Sequence, residues 1–170
     1  MSATGFPPQP SPADRHRLSA AEGWLALGLP GESLEELDGL GEPSRLLPEA
    51  RHLRCLALGR LRRFEVLEGV ARSYLAEVPD DLRAVLHLAN AWHWQQRTEG
   101  AYQLARDSRT RFPGQWQLVY DLACYAAQTG RLSEARQRFR EALALAPDAK
   151  ALKEYARQDP DLLPLRDDPD

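Results

Sequence analysis

The sequence repeats with a period of 34 residues, and this periodicity constrains the fold more than any single motif. The four successive copies begin at Asp14, Pro48, Leu82 and Trp116. When the copies are aligned, their eighth column contains the small residues Ala21, Cys55, Ala89 and Ala123, and their twentieth column contains Ser33, Leu67, Ala101 and Ala135. Self-similarity at this spacing indicates a repeat protein built from one supersecondary unit per copy.

Each copy has room for two helices joined by a tight turn. The spacing of apolar residues predicts first helices over residues 15–27, 49–61, 82–95 and 115–128, and second helices over 32–41, 65–76, 99–111 and 133–145. One such pair cannot bury its apolar faces alone, so each pair must stack on the next, with small residues where helices approach closely. Pro79, Pro113 and Pro147 recur 34 residues apart after the second helices, because proline does not continue a helix.

Small residues in the eighth and twentieth columns, bulky apolar residues in the eleventh or twenty-fourth, and a closing proline resemble the tetratricopeptide repeat over residues 14–148. The resemblance implies an all-α fold, a right-handed α-solenoid of about four helix-turn-helix repeats with a C-terminal capping helix. The expected repeats span residues 14–47, 48–81, 82–115 and 116–148, and the cap spans 149–158.

The two ends of the chain differ from the repeats in composition. Residues 1–13 are rich in proline and are predicted to form a disordered arm outside the repeat domain of residues 14–158. Residues 159–170 form an acidic tail that is expected to be partly packed. This tail resembles the closing segment of bacterial proteins of the same repeat family, and the resemblance implies that Leu162, Leu163 and Leu165 fold back onto the last helices.

Three departures from the pattern locate the weakest parts of the register. Gln96 stands where copies one and four have Gly28 and Gly130. Arg54 stands where the repeat normally has leucine, which predicts that the first helix of copy two is rotated or shifted. Arg45 occupies the proline column of copy one, so the junction at 41–49 is the least regular.

Composition and length indicate an ordinary globular chain, since 43% of its 170 residues are apolar and 28% are charged. The opening segment has neither the basic lead nor the apolar run of a secretory signal, and no run approaches the roughly 18 apolar residues of a membrane span. We therefore expect a cytoplasmic protein without membrane contact. Cys55 and Cys124 lack a CxxC spacing and are predicted to be buried small residues.

The sequence lacks the motifs of catalysis and cofactor binding. It contains no GxGxxG, GxxxxGK[ST], HExxH or GxSxG, so we predict a protein that is not an enzyme and has no cofactor. His87 and His93 are six residues apart, which places them on different sides of one helix and argues against a metal site. The isoelectric point of about 5.8 argues against nucleic-acid binding, because nucleic-acid-binding domains are usually strongly basic.

The resemblance implies a peptide-binding groove lined by first helices. In the family, contacts commonly come from positions two, five, nine, twelve and thirteen. The matching residues are His52, Leu56, Arg60, Arg83, Leu86, Asn90, His93, Trp94, Gln117, Tyr120, Cys124 and Gln128. Asn90 matches the asparagine of the family's carboxylate-clamp pattern, but His52, Leu86 and Tyr120 replace its lysine. The alternative that these residues are merely solvated remains open.

These observations favour a scaffold or adaptor that binds a protein or peptide in the groove. A self-assembling structural module is the alternative, because residues 82–114 carry five arginines and two acids whereas residues 159–170 carry five aspartates and one arginine. A third possibility is a dedicated secretion-type chaperone. We expect a monomer or a weak homo-oligomer, and solvated helix faces would also account for the charge pattern.

Overall fold

The computed structural model describes residues 9–166, and every regular element in that range is a helix. The elements are α1 (Pro12–Ala26), α2 (Pro30–Asp38), α3 (Glu42–Arg45), α4 (Pro48–Arg60), α5 (Phe64–Glu77), α6 (Leu82–Trp94), α7 (Thr98–Ser108), α8 (Trp116–Gln128), α9 (Leu132–Leu145), α10 (Ala149–Ala156) and a 3₁₀ helix (Pro160–Leu165). Most of the predicted N-terminal arm and the end of the predicted acidic tail lie outside the described residues.

The repeat periodicity predicts most of these elements. Helices α1, α4, α6 and α8 are the first helices of the four copies, and α2, α5, α7 and α9 are the second helices. Two elements were not predicted, the short α3 and the C-terminal 3₁₀ helix. At the irregular junction, Arg45 donates hydrogen bonds to the carbonyl oxygens of Leu40 and Asp38 at 2.7 and 2.6 Å, which satisfies groups that the end of α2 leaves unpaired.

The small-residue columns are buried, as the repeat pattern predicts. In the eighth column, Ala21, Ala89 and Ala123 are 0% exposed and Cys55 is 1% exposed. Burial raises the pKa of the Cys55 thiol to about 12, so this cysteine behaves as a small apolar residue. The predicted shift in the first helix of copy two is wrong, because Cys55 occupies its column while Arg54 points outward and pairs with Asp38 at 2.7 Å.

The turn between the two helices has the same backbone conformation in all four copies. Gly28, Arg62, Gln96 and Gly130 have φ values of 77°, 56°, 63° and 78°. Glycine adopts this left-handed region without steric cost, whereas a side chain at the same φ is strained. Gln96 therefore departs from the pattern in residue type but keeps the backbone of the turn.

The chain divides into two compact units, residues 1–87 and 88–170. In the first unit, α1, α2 and α4 enclose an apolar core that includes Leu18, Leu25, Leu37 and Leu53. In the second unit, α8 packs against α7 and α9, and the 3₁₀ helix packs against α8 and α9.

The C-terminal leucines pack only in part as predicted. Leu162 is buried at 4% exposure and Leu165 is half-buried. Leu163 is 46% exposed, so the expectation that it folds onto the last helices is wrong. The reason is geometric, since a 3₁₀ helix has three residues per turn and neighbouring side chains point to different sides.

Candidate functional site

The first unit contains a cleft of about 760 Å³ formed by α1, α4 and the beginning of α6. Four predicted groove residues line it together: His52, Leu56, Arg60 and Arg83. Its other lining residues are Pro10, Glu22, Leu25, Ala26, Leu47, Pro48, Glu49 and Leu53. The lining therefore combines aliphatic side chains with carboxylates, guanidinium groups and an imidazole.

Two separate polar contacts fix the side of this cleft formed by His52 and Arg83. Nδ1 of His52 lies 2.8 Å from Nε2 of His87, and the Arg83 guanidinium donates to the Asp81 carboxylate at 2.6 Å. Burial raises the pKa of Asp81, but hydrogen bonds from Arg83 and Tyr74 outweigh it and lower the value to about 2. Arg83 is therefore held by an ionised partner.

Two acidic residues of the first cleft were missed by the sequence analysis. Glu22 is the ninth residue of copy one and Glu49 the second residue of copy two, so both occupy columns from which the family makes contacts. Applying those columns to every copy would have found them. Arg60 also has an unpredicted role, because its guanidinium donates to the carbonyl oxygen of Leu25 at the end of α1.

The second unit contains a cleft of about 450 Å³ that brings together five more predicted residues: Asn90, His93, Trp94, Tyr120 and Cys124. The remaining lining residues are Asp121, Tyr125, Tyr155, Gln158, Asp159, Pro160 and Asp161. Residues 158–161 belong to the C-terminal segment, so part of the groove is filled by the chain itself.

The C-terminal segment contacts this groove mainly through two aspartates. The Tyr120 hydroxyl donates to Oδ2 of Asp159 at 2.6 Å, and Sγ of Cys124 lies 3.7 Å from the same oxygen. Nε2 of His93 lies 3.1 Å from Oδ2 of Asp161. Nδ1 of His93 lies 3.0 Å from the Thr98 hydroxyl, which orients the ring toward the aspartate.

Two of the predicted groove residues are buried rather than open to solvent. His93 is 8% exposed and Tyr120 is 5% exposed. Gln128 remains exposed, and its amide donates to the backbone carbonyl of Asp161 at 2.9 Å. Gln117 does not line this cleft; it lines a neighbouring cleft of about 440 Å³, to which Tyr120 also contributes. Asp159 and Asp161 were not predicted as groove contacts, because they lie outside the repeats.

The two clefts use equivalent columns of the repeat. His52, Leu56 and Arg60 of the first cleft precede Tyr120, Cys124 and Gln128 of the second unit by two repeat lengths. The three residues of the second unit all contact the C-terminal segment. The first cleft is therefore lined by residues from the same repeat columns that contact the C-terminal segment in the second unit.

Two further features bear on the kinds of site present. Among residues 9–166, no three histidine, cysteine or acidic side chains are grouped so that they could hold a metal ion. None of the helices in the described part of the chain combines the length and apolar character needed to cross a membrane.

The fold resembles solved structures of MamA, a tetratricopeptide-repeat protein. The structure of MamA from residue 41 to its end, from Desulfovibrio magneticus RS-1, has a TM-score of 0.68 and 16% identity, over 82% of this chain and 78% of that chain. A double mutant of MamA RS-1 also has a TM-score of 0.68 and 16% identity, over 93% and 92% of the two chains. A further MamA crystal structure has a TM-score of 0.64 and 16% identity, over 85% and 81%.

The sequence itself matches no protein-family model and no curated protein. At 16% identity the structural likeness concerns the fold alone. The chain therefore has the all-helical, solenoid-type fold of tetratricopeptide-repeat proteins.

Proposed function

We propose that this protein is a non-enzymatic scaffold that binds a peptide or helical segment of a partner protein in the cleft of the first unit. The fold supports a role in protein–protein interaction in general. The observation that carries the proposal is the convergence of His52, Leu56, Arg60 and Arg83 on one cleft of about 760 Å³. These four residues occupy the contact columns of the repeat.

The composition of this cleft suits a peptide. Ala26, Leu47 and Leu56 provide an apolar surface, and specific protein contacts usually bury such a centre within a polar rim. Glu22, Glu49 and the arginines supply hydrogen-bonding groups of both signs around it. A partner segment with apolar side chains and mixed charges would satisfy both parts of the surface.

The test uses a substitution that blocks the cleft. Leu56→Arg places a long charged side chain in the cleft, and the matched control Val66→Arg places the same side chain on α5, where Val66 is already 55% exposed. Proteins captured from the source organism by the immobilised parent chain are identified by mass spectrometry, and the purified partner is then titrated calorimetrically. We expect Leu56→Arg to weaken binding by at least about tenfold, as for a residue at the centre of an interface.

The control variant should bind like the parent, and thermal melts should show that both variants are folded. Equal affinities for the two variants would contradict binding in the first cleft. If the captured protein is the chain itself and its association falls at high salt, self-assembly through charge replaces the proposal.

A further inference from the structure

The C-terminal segment, residues 158–166, lies in the groove of the second unit as a ligand would. It lies outside the repeats, and it contacts the groove through polar groups of Tyr120, Gln128 and His93. Within this segment only Leu162 is buried, with 4% of its surface exposed. Pro160, Leu163 and Arg166 are exposed. A core element would bury a larger share of its side chains.

The contacts define the chemistry that this groove accepts. The carboxylate of Asp159 accepts the Tyr120 hydroxyl at 2.6 Å, and the carboxylate of Asp161 lies 3.1 Å from the His93 ring. Hydrogen bonds to charged groups are stronger than neutral ones, so the two carboxylates dominate recognition. Gln128 contacts the backbone of the segment rather than a side chain, because its amide donates to the Asp161 carbonyl oxygen.

The spacing of the two carboxylates is set within the segment. Oδ1 of Asp159 accepts the backbone N–H of Asp161 at 2.9 Å, which forms a local turn around Pro160. The turn directs Oδ2 of Asp159 to Tyr120 and the Asp161 carboxylate to His93. The groove therefore contacts a three-residue unit, which consists of an aspartate, a proline and a second aspartate.

One electrostatic feature opposes the attachment of the segment, because three carboxyl groups line the same cleft. Asp121, on α8, faces Asp159 and Asp161 of the segment and His93 of α6. Burial, followed by the charges of Asp159 and Asp161, raises the pKa of Asp121 to about 7. Three carboxylates thus share one imidazole, and their mutual repulsion opposes the favourable hydrogen bonds.

We propose that the groove of the second unit is a binding site for acidic segments of the Asp-Pro-Asp type, which residues 158–166 occupy as a competing internal ligand. A tethered ligand acts at an effective concentration in the millimolar range, so it suppresses the binding of a free segment with the same chemistry. A partner segment binds when it displaces residues 158–166. This site is independent of the cleft in the first unit.

The test measures competition in the full chain. The probe is a fluorescein-labelled peptide with the sequence of residues 158–166, Gln-Asp-Pro-Asp-Leu-Leu-Pro-Leu-Arg, and its binding is followed by anisotropy. In the protein, Asp159→Asn with Asp161→Asn weakens the internal ligand without changing its shape. We expect this double variant to bind the probe at least tenfold more tightly than the parent does.

Two controls separate recognition from a change of net charge. The protein variant Asp80→Asn with Asp107→Asn removes two exposed carboxylates elsewhere and should bind the probe like the parent. A probe with asparagine at both aspartate positions should bind the weakened protein at least tenfold less tightly. Equal binding by the parent and the Asp159/Asp161 variant, or equal binding of the two probes, would overturn the proposal.

A second measurement uses the unmodified chain and so does not depend on the folding of a variant. Hydrogen exchange is followed at the amides of Leu162 and Arg166, which donate to the carbonyl oxygens of Asp159 and Leu163. An excess of unlabelled acidic peptide should accelerate this exchange, and the asparagine peptide should not. Unchanged exchange at a saturating concentration of acidic peptide would show that the segment is a fixed part of the fold.

Discussion

In the first unit, Nδ1 of His52 lies 2.8 Å from Nε2 of His87, so one of these two ring nitrogens donates a hydrogen bond to the other. Burial, followed by the charges of His52 and Arg83, lowers the pKa of His87 to about 3. Burial, followed by the charge of Arg83, also lowers the pKa of His52. The hydrogen bond between the rings links two neighbouring repeats, because the residues are 35 positions apart.

Acidification should therefore destabilise the protein through His87. Unfolded histidine binds a proton near pH 6.5, whereas folded His87 remains neutral until about pH 3, so stability falls as the pH drops below 6.5. Because the unfolded chain binds this one extra proton, the free energy of unfolding should fall by about 2 kcal/mol between pH 6.5 and pH 5. Urea denaturation at several pH values should show this loss in the parent and a flatter dependence in His87→Gln.

The control for this prediction is His16→Gln, because His16 is exposed on α1. This variant should retain the pH dependence of the parent. If His87→Gln loses as much stability on acidification as the parent does, the histidine pair is not the group that responds to pH.

The sequence predicts the repeats better than it predicts the sites. The columns of Ala89 and Ala123 identify packed positions because burial there follows the repeat period. The contact between Tyr120 and Asp159 has no such signal, since it depends on how a segment outside the repeats folds back. The His52–His87 pair was also missed, because a separation of 35 residues differs by one from the repeat length.

The turn between paired helices yields a prediction about glycine. Gly130 has φ of 78°, and a Cβ built there would meet no atom within 4 Å, so only the backbone conformation opposes a side chain. Gly130→Ala should destabilise the protein by about 1 kcal/mol. Gly69, inside α5, has equally open surroundings, and Gly69→Ala should stabilise the helix by up to about 1 kcal/mol.

Thermal and urea denaturation of the two alanine variants measure this difference. The substitution is identical, and both sites are free of steric contact with other atoms. Opposite signs are therefore expected from backbone conformation alone. Changes of the same sign would contradict the left-handed conformation at Gly130.

A buried hydroxyl in copy one offers a route to stabilisation. Ser33 is 0% exposed, and its Oγ has no hydrogen-bond partner within residues 9–166. Copies three and four have alanine in the same column, Ala101 and Ala135, and both are 0% exposed. Ser33→Ala should raise the free energy of unfolding by about 1 kcal/mol, because an unsatisfied buried hydroxyl is costly.

The reverse substitution, Ala101→Ser, serves as the control for this prediction. It introduces a hydroxyl into a buried position of the equivalent column and should destabilise by a similar amount. Calorimetric melts of both variants measure the effect. A lower melting temperature for Ser33→Ala would mean that the Ser33 hydroxyl has a stabilising partner.

Asp121 should limit stability at neutral and alkaline pH. Its pKa of about 7, raised by burial and then by the charges of Asp159 and Asp161, lies well above the ordinary value of 3.8. Between these values the folded protein retains a proton that the unfolded chain has lost. Stability therefore falls as the pH rises toward 7, and the full cost persists above pH 7.

Asp121→Asn removes this cost and should stabilise the protein by about 2 to 4 kcal/mol at pH 8. Below about pH 4, where the carboxyl is protonated in both states, the gain should vanish. Urea denaturation at pH 8 and pH 4 measures the difference, with Asp107→Asn as the control because Asp107 has a side-chain exposure of 67%. A gain of equal size at both pH values would show that packing, rather than the charge of Asp121, is responsible.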